Sequence, residues 1–313
     1  LNQLRRSARM SALKSNEPFD VAIVGGGPAG LAAAVYLGRF RRSVVVFDAD
    51  DGRAKLIVKS HNCPGFPDGI GGEDLLRRLT AQAAMYGAVL RQERVEAINP
   101  VEAGFVVHAA NEAYPTRQVI LATGVTDITP DVPHIREGIA KGTIRLCPVC
   151  DGYEVIDKAV AVMGPEESAM REALFLKQYT PNVTVLASRP EGLSANARRR
   201  AVAFKAGILD NVNSLLPMDS GYEVLLENGR KQLFEVIYIA MGCVVRSELA
   251  TSLGADCSED GYVRVDAHQR TSAEGVSAIG DVVKALNQIA VGFGHAAVAA
   301  SDIHNQLLRQ DPR

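Results

Sequence analysis

Short apolar runs alternate with amphipathic stretches along the chain, in the order expected of βαβ units. Phe19-Asp20-Val21-Ala22-Ile23-Val24 reads as a buried strand that feeds Gly25-Gly26-Gly27-Pro28-Ala29-Gly30 and then a helical run from Leu31 to Phe40. A second strand, Val44-Val45-Val46-Phe47, ends at Asp48. The pattern recurs further on: a strand over Ala159 to Met163, a turn at Gly164, a helix through Ser168 to Gln178, and a return strand over Val183 to Ala187. Two more apolar strands, Gln118 to Leu121 and Glu235 to Ala240, run into small-residue turns at Ala122-Thr123-Gly124 and Met241-Gly242. These turns are candidate crossing points between domains. Near the C-terminus, Gly275 to Asp281 reads as a strand closing on Gly280-Asp281, and Asn287-Gln288-Ile289-Ala290 leads into a helix reaching about Leu308.

Two βαβ patterns, with the chain starting and ending in the first, predict an α/β fold. It has two Rossmann-like three-layer nucleotide-binding domains, the second inserted in the first. The expected boundaries are a basic tail over 1–18, a first domain over 19–125 and 248–313, and an inserted domain over 126–247. In the first unit the glycines stand where a tight turn, close approach of a pyrophosphate and helix–strand packing require them. Asp48, 18 residues after Gly30, is placed to bond a ribose.

Composition narrows the partners. The chain has 313 residues, 47% of them hydrophobic, enough for two cores. With 34 basic and 36 acidic residues, it offers no electrostatic case for nucleic acid or an anionic membrane. No apolar run approaches the roughly 18 residues of a membrane span. The stretch Leu1 to Ser15 carries Arg5, Arg6, Arg9 and Lys14 without an acid, and lacks the apolar core of a signal peptide. It reads as a tail: Met10 is one candidate start, and a basic surface arm is the other reading. The expected compartment is the reducing cytoplasm, where a close cysteine pair points to catalysis rather than to a structural staple.

Such a pair exists. Cys147-Pro148-Val149-Cys150 runs straight into Asp151-Gly152. Two sulfurs at this spacing can close a disulfide with little backbone movement, and each thiol helps the other towards the thiolate. Half of a zinc site is the competing interpretation, but Cys63, Cys243 and Cys257 are isolated and the six histidines are scattered, so no metal is expected. Asp151 is a candidate proton carrier for a departing thiolate, or a helix N-cap.

In the order of these motifs the chain resembles the low-molecular-weight thioredoxin reductases, from about Phe19 to Asn305. The resemblance implies an FAD-dependent disulfide oxidoreductase, homodimeric, acting on a thioredoxin-like protein or a small-molecule disulfide or dithiol. It implies that Gly25, Gly27, Pro28, Ala29 and Gly30 approach the FAD pyrophosphate and Asp48 the adenosine ribose. Asp281, with Gly280, would hold the ribityl chain, and Gln288 and Ile289 would face the flavin pyrimidine edge. Asn62, Val95, Thr123 and Gly124 complete the implied FAD contacts. Cys150 resembles the thiol that meets the flavin, Cys147 the one that attacks the partner disulfide, and Asp151 the acid. Cys63, at a usually aromatic position, reads as a small buried hydrophobe or a further thiol near the flavin. His295, in Gly292-Phe293-Gly294-His295, reads as a core histidine or a proton carrier.

The second nucleotide loop departs from the family. Where Gly-Gly-Gly-Asp-Ser-Ala is usual, this chain reads Gly164-Pro165-Glu166-Glu167-Ser168-Ala169. Pro165 removes a backbone N–H, and Glu166 sets an anion where backbone should meet a diphosphate. The basic cluster for a 2′-phosphate is reduced to Arg189, with Arg198, Arg199 and Arg200 reading as a surface-helix charge run or a substitute. Gly164, Ser168 and Arg189 are the candidate NAD(P)H contacts. Two enzyme readings stay open: an NADPH-dependent disulfide reductase, or a flavin enzyme that trades electrons with a ferredoxin-like protein, with oxygen or with a dithiol. A third reading is a non-catalytic redox sensor.

Overall fold

The computed structural model describes residues 17–187 and 192–310, so the expectations for the arm Leu1 to Ser15 and for Arg189 lie outside the described residues. Its described residues divide into two compact units: 17–55, 73–126 and 245–310 form one, and 56–72, 127–187 and 192–244 form the other.

In the first unit, β1 (Phe19–Val24), α1 (Pro28–Arg39) and β2 (Val44–Phe47) form the first βαβ motif, and α2 (Gly72–Met85) leads to β3 (Val89–Arg91). β4 (Val95–Val101), β5 (Gly104–Ala109) and β6 (Glu112–Leu121) make an antiparallel meander. The sheet runs β3-β2-β1-β6-β5-β4, and β17 (Val276–Ala278) pairs with β6. β1 is parallel to both β2 and β6, and β17 is parallel to β6, so their C-terminal ends share one edge. β2 is buried throughout, and only Phe19 of β1 is less than fully so, the pattern of parallel strands covered on both faces. Alanine-rich α1 packs with α8 (Ile289–Gln310) through Leu31, Ala34 and Leu37 against Ala296, Ala299 and Ile303. Leu37 and Ile303 are fully buried, so truncating either to Ala costs about 2–5 kcal/mol.

The meander is absent from the sequence expectation, and β6 starts at Glu112 rather than Gln118. Glu112, Pro115 and Arg117 interrupt the apolar run. The first half of β6 pairs with β5, and its second half supplies the parallel ladder to β17.

In the second unit, β8 (Ile144–Arg145), β9 (Val160–Gly164), β10 (Val183–Ala187), β11 (Gly207–Leu209) and β15 (Val236–Ile239) form a parallel sheet in the order β11-β10-β9-β15-β8. Val160, Val162 and Tyr238 bury one face under α5 (Glu166–Leu176) and α6 (Ala195–Ala203). Ala161, Ile237 and Ile239 bury the other under the antiparallel strands β12 (Val212–Met218), β13 (Gly221–Leu226) and β14 (Lys231–Phe234).

The division differs from the expected boundaries in one segment. Residues 56–72 group with the second unit, where His61 Nδ1 lies 2.8 Å from Glu154 Oε1 and Asn62 Nδ2 donates to the Val149 carbonyl at 3.4 Å. The chain passes between units at β7 (Val125–Asp127) and β16 (Cys243–Val245), two short strands that pair with each other.

Candidate functional site

The glycine loop of the first unit sits at the shared C-terminal edge, where β1 has β2 on one side and β6 on the other. In α/β sheets that reversal of direction is where ligands bind. A Cβ on Gly25 would fall 2.2 Å from the Ala122 carbonyl oxygen, and its φ of +119° excludes other residues as well. A Cβ on Gly30 would fall 2.0 Å from the Gly25 carbonyl oxygen. Those two glycines serve the fold. Gly27 does not: its φ of −73° suits any residue, and a Cβ there would meet no protein atom within 4 Å. The space in front of Gly27, at the N-terminus of the twelve-residue α1, is a cradle that a side chain would fill and that backbone N–H groups open onto. Asp48 lies beside it, its side chain 2.5 Å from the position a Cβ on Gly26 would take.

The other residues assigned to FAD by resemblance gather at the same edge, with two exceptions. Pro28 takes the first helical position of α1. A Cβ on Gly280 would lie 2.9 Å from Ala29 Cβ, and one on Gly292 3.2 Å from it. Ala29, at the start of α1, therefore packs against both Gly280 and Gly292, the latter in the first turn of α8. Asp281 faces Arg53 at 3.4 Å. Gln288 precedes α8, its carbonyl accepting the Gly292 N–H at 3.0 Å, and Ile289 opens that helix. Thr123 Oγ1 donates to the Arg246 carbonyl at 2.6 Å, and Gly124 has a φ of +68° with open space beyond it. Val95 is a buried residue at the start of β4. Asn62 groups instead with the second unit, its Oδ1 accepting from Ser60 Oγ at 2.9 Å. The loop geometry and donor set fit the pyrophosphate and ribose of FAD.

His295 Nδ1 accepts the Gly280 N–H at 3.2 Å, and burial holds the ring below the usual histidine range against the opposing pull of Asp281. Cys63 is buried, and burial pushes its thiol up, which makes it a poor nucleophile.

In the second unit Cys147 and Cys150 are joined in a disulfide. Cys147 caps the four-residue helix α4 (Pro148–Asp151), its sulfur accepting the Cys150 N–H at 3.2 Å. Gly152 follows because a Cβ there would fall 2.9 Å from the Tyr179 ring. The Asp151 side chain makes no capping bond; it turns inward, where Tyr238 Oη donates to Oδ1 at 2.7 Å and the Arg145 guanidinium stands 3.4 Å from Oδ2. Burial raises its carboxyl above the usual range, with Arg145 and Tyr238 pulling the other way. Arg145 and Tyr238 escape a reading of the sequence, because one is a lone base on a two-residue strand and the other looks like strand core.

The second glycine-type loop is built differently from the first. Three residues separate β1 from α1, but Pro165 alone separates Gly164 from the start of α5. Gly164 keeps the structural role of Gly25: a Cβ would lie 2.4 Å from the Ala240 carbonyl oxygen. Ala169, fully buried, stands where the first loop has Gly30. The helix begins at Glu166, earlier than the expected Ser168, and the Glu166 carboxylate accepts both the N–H and the hydroxyl of Ser194, at 2.6 and 2.7 Å. Ser168 lies within α5. Arg200 donates twice to Glu167, at 2.8 and 2.9 Å, and Arg198 pairs with Asp210 at 2.7 Å. These residues do not fit a nicotinamide dinucleotide. The turn lacks the glycines and one N–H, and a carboxylate stands at its helix start.

Two dinucleotide-type units, one with an open glycine cradle and one with a redox C-x-x-C, define a flavin-dependent disulfide oxidoreductase. The family model described as pyridine nucleotide-disulphide oxidoreductase matches residues 19–301, and the chain belongs to that family. It is 30% identical to a thioredoxin reductase of Mycolicibacterium smegmatis, over 95% of this chain and 99% of that protein. It is 32% identical to the bifunctional thioredoxin reductase/thioredoxin of Mycobacterium leprae, covering 92% of this chain but only 66% of that longer protein. The crystal structure of thioredoxin reductase from Streptococcus pyogenes superposes with a TM-score of 0.86 at 27% identity, covering 94% of this chain and 100% of the other. Among the described residues no helix is long and apolar enough to cross a membrane.

Proposed function

We propose that the chain passes electron pairs between FAD and an external disulfide or dithiol through Cys147 and Cys150, with Asp151 as the proton carrier. The observation that carries this reading is the Cys147–Cys150 disulfide followed at once by a half-buried carboxyl. The cradle at Gly27, shaped by Gly25 and Gly30, would hold FAD together with Asp48 and Asp281, and FAD would supply exchange of an electron pair with the cysteine pair. In the reductive direction the Cys147 thiolate attacks a partner disulfide, and one partner sulfur leaves as a thiol after taking a proton. Cys150 then attacks Cys147 Sγ, releases the second partner sulfur and restores the internal disulfide. A carboxyl that keeps its proton above the usual range suits the protonation of a departing thiolate.

The similar thioredoxin reductases make a thioredoxin-like protein the first partner to test, and a homodimer the expected assembly. One observation favours a source of electrons other than NAD(P)H: the contact of Glu166, directly after a one-residue turn, with Ser194 at the start of α6. A small dithiol or a one-electron protein carrier then takes the place of the pyridine nucleotide. Anaerobic titration of the FAD-loaded protein with NADPH, NADH and dithiothreitol, read at the flavin absorbance, tests both statements. Loss of flavin colour with dithiothreitol that disappears in Cys147→Ser and Cys150→Ser supports the thiol route. Retention of that response in the double variant overturns it.

A further inference from the structure

Asp151 is held by more than its motif. Tyr238 on β15 and Arg145 on β8 are direct partners across the parallel ladder, in the register Tyr238↔Arg145. Both reach the same residue twice. The Tyr238 hydroxyl donates to Asp151 Oδ1 at 2.7 Å and lies 3.2 Å from the Asp151 carbonyl oxygen. Arg145 Nη1 donates to that carbonyl at 2.9 Å and stands 3.4 Å from Oδ2. Arg145 Nε is fixed on the Gly142 carbonyl at 3.1 Å, which sets the direction of the guanidinium fork. The Tyr238 ring is fully buried. A phenylalanine would fill the same core volume, so packing alone does not call for the hydroxyl.

We propose that Tyr238 and Arg145 form a cross-strand clamp that positions the Asp151 carboxyl for proton delivery during thiol–disulfide exchange. The proposal rests on the reading of Asp151 as the acid. An incoming thiolate attacks Cys147 Sγ, a new S–S bond forms there, and the Cys147–Cys150 bond breaks. The bonding pair leaves on Cys150 Sγ, which takes the carboxyl proton of Asp151; the incoming sulfur is oxidised and Cys150 is reduced. Asp151 ends as a carboxylate already facing a hydroxyl donor and a guanidinium, so the charge it acquires is met without rearrangement.

Four influences set the balance of this acid. Burial and Glu154, from the turn after the motif, favour the protonated form, while Arg145 and Tyr238 favour the carboxylate. Arg145 and Tyr238 therefore ease the ionisation of a half-buried acid. Without them the carboxyl would keep its proton to higher pH. Glu154 in turn lies 2.8 Å from His61 Nδ1.

The test is the rate at which dithiothreitol opens the Cys147–Cys150 disulfide in the FAD-loaded full chain. It is followed by quenched alkylation and mass measurement, and normalised to the dithiothreitol thiolate present at each pH. In the parent, the normalised rate falls as pH rises through the titration of Asp151. Asp151→Asn should lose that fall and be slower by about a hundredfold on the acid side. Tyr238→Phe and Arg145→Gln should keep the fall but move it to higher pH, since each removes a group that favours the carboxylate. Arg145→Lys, which keeps the charge, should return most of the parent profile. Tyr238→Phe preserves the buried ring and carries the test if Arg145→Gln does not fold. An impaired Asp151→Asn beside Tyr238→Phe and Arg145→Gln with the parent's rate and profile overturns the clamp and leaves the acid standing. A parent-like Asp151→Asn overturns the acid itself, and the clamp with it.

Discussion

Glu166 accepts two hydrogen bonds from Ser194, one from its backbone N–H at 2.6 Å and one from its hydroxyl at 2.7 Å. Ser194 is also the N-cap of α6, its hydroxyl oxygen accepting the Ala197 N–H at 3.2 Å, so the contact ties the start of α5 to the start of α6. A dinucleotide entering this loop has to displace a carboxylate from two good donors and then face it at close range. NADPH is therefore expected to reduce the bound flavin slowly and without saturation. Pro165→Gly with Glu166→Gly, which returns an N–H and removes the charge, should tighten NADPH by roughly tenfold or more, from about 1.5–3 kcal/mol for a charged hydrogen bond. Fast, saturating reduction of the parent by NADPH would refute a blocked loop.

Gly25 and Gly27 stand two residues apart and should respond in opposite ways. At Gly25 a side chain meets the Ala122 carbonyl at 2.2 Å in a backbone with φ of +119°, so Gly25→Ala should destabilise the fold whether or not FAD is present. At Gly27 a side chain meets nothing of the protein, so Gly27→Glu should leave the apoprotein's thermal stability close to the parent's while abolishing FAD retention. Absorbance of the purified protein and melting of the apoprotein separate the two. Normal FAD content in Gly27→Glu would contradict the cradle.

The contrast between these glycines also marks what the sequence can and cannot say. The first βαβ motif is legible because its strands are buried on both faces and its glycines obey backbone sterics that leave a trace in residue type. Cys147 to Gly152 is legible for the same local reason. Tyr238 and Arg145 are not: their role comes from a ladder register between strands more than 90 positions apart in the chain, and each alone looks ordinary. The same holds for Glu166, whose partner Ser194 belongs to another helix. The meander from Val95 to Leu121 is hidden by Pro115 and by charged residues on the exposed positions of its strands.

Removing either sulfur should stop thiol-driven reduction of the flavin, but only one removal should leave the partner reaction half done. With Cys150→Ser, Cys147 can still attack a partner disulfide and nothing remains to resolve it. A stable mixed disulfide is therefore expected, visible as added mass that dithiothreitol removes. Under the assigned roles, Cys147→Ser should trap no partner. Trapping by Cys147→Ser and none by Cys150→Ser would exchange the two roles.

Glu172 gives the second unit a pH dependence of its own. It lies on α5 with Oε2 buried and without a hydrogen-bond partner among the described residues. Burial pushes its carboxyl from an ordinary 4.5 up to about 7, and Arg171 opposes this only in part. Between those two values the folded chain holds a proton that the unfolded chain has already released. Stability conferred by the protonated form is complete below 4.5 and falls as pH rises towards about 7, above which both states are ionised and the full cost of the buried charge remains. Glu172→Gln removes the charge and keeps the shape. It should stabilise the protein at mildly alkaline pH by on the order of 1–3 kcal/mol, and by little or nothing at acid pH. Denaturant unfolding of parent and variant on either side of the window reads the difference directly, and an equal effect at both pH values would show that Glu172 does not ionise in a buried setting.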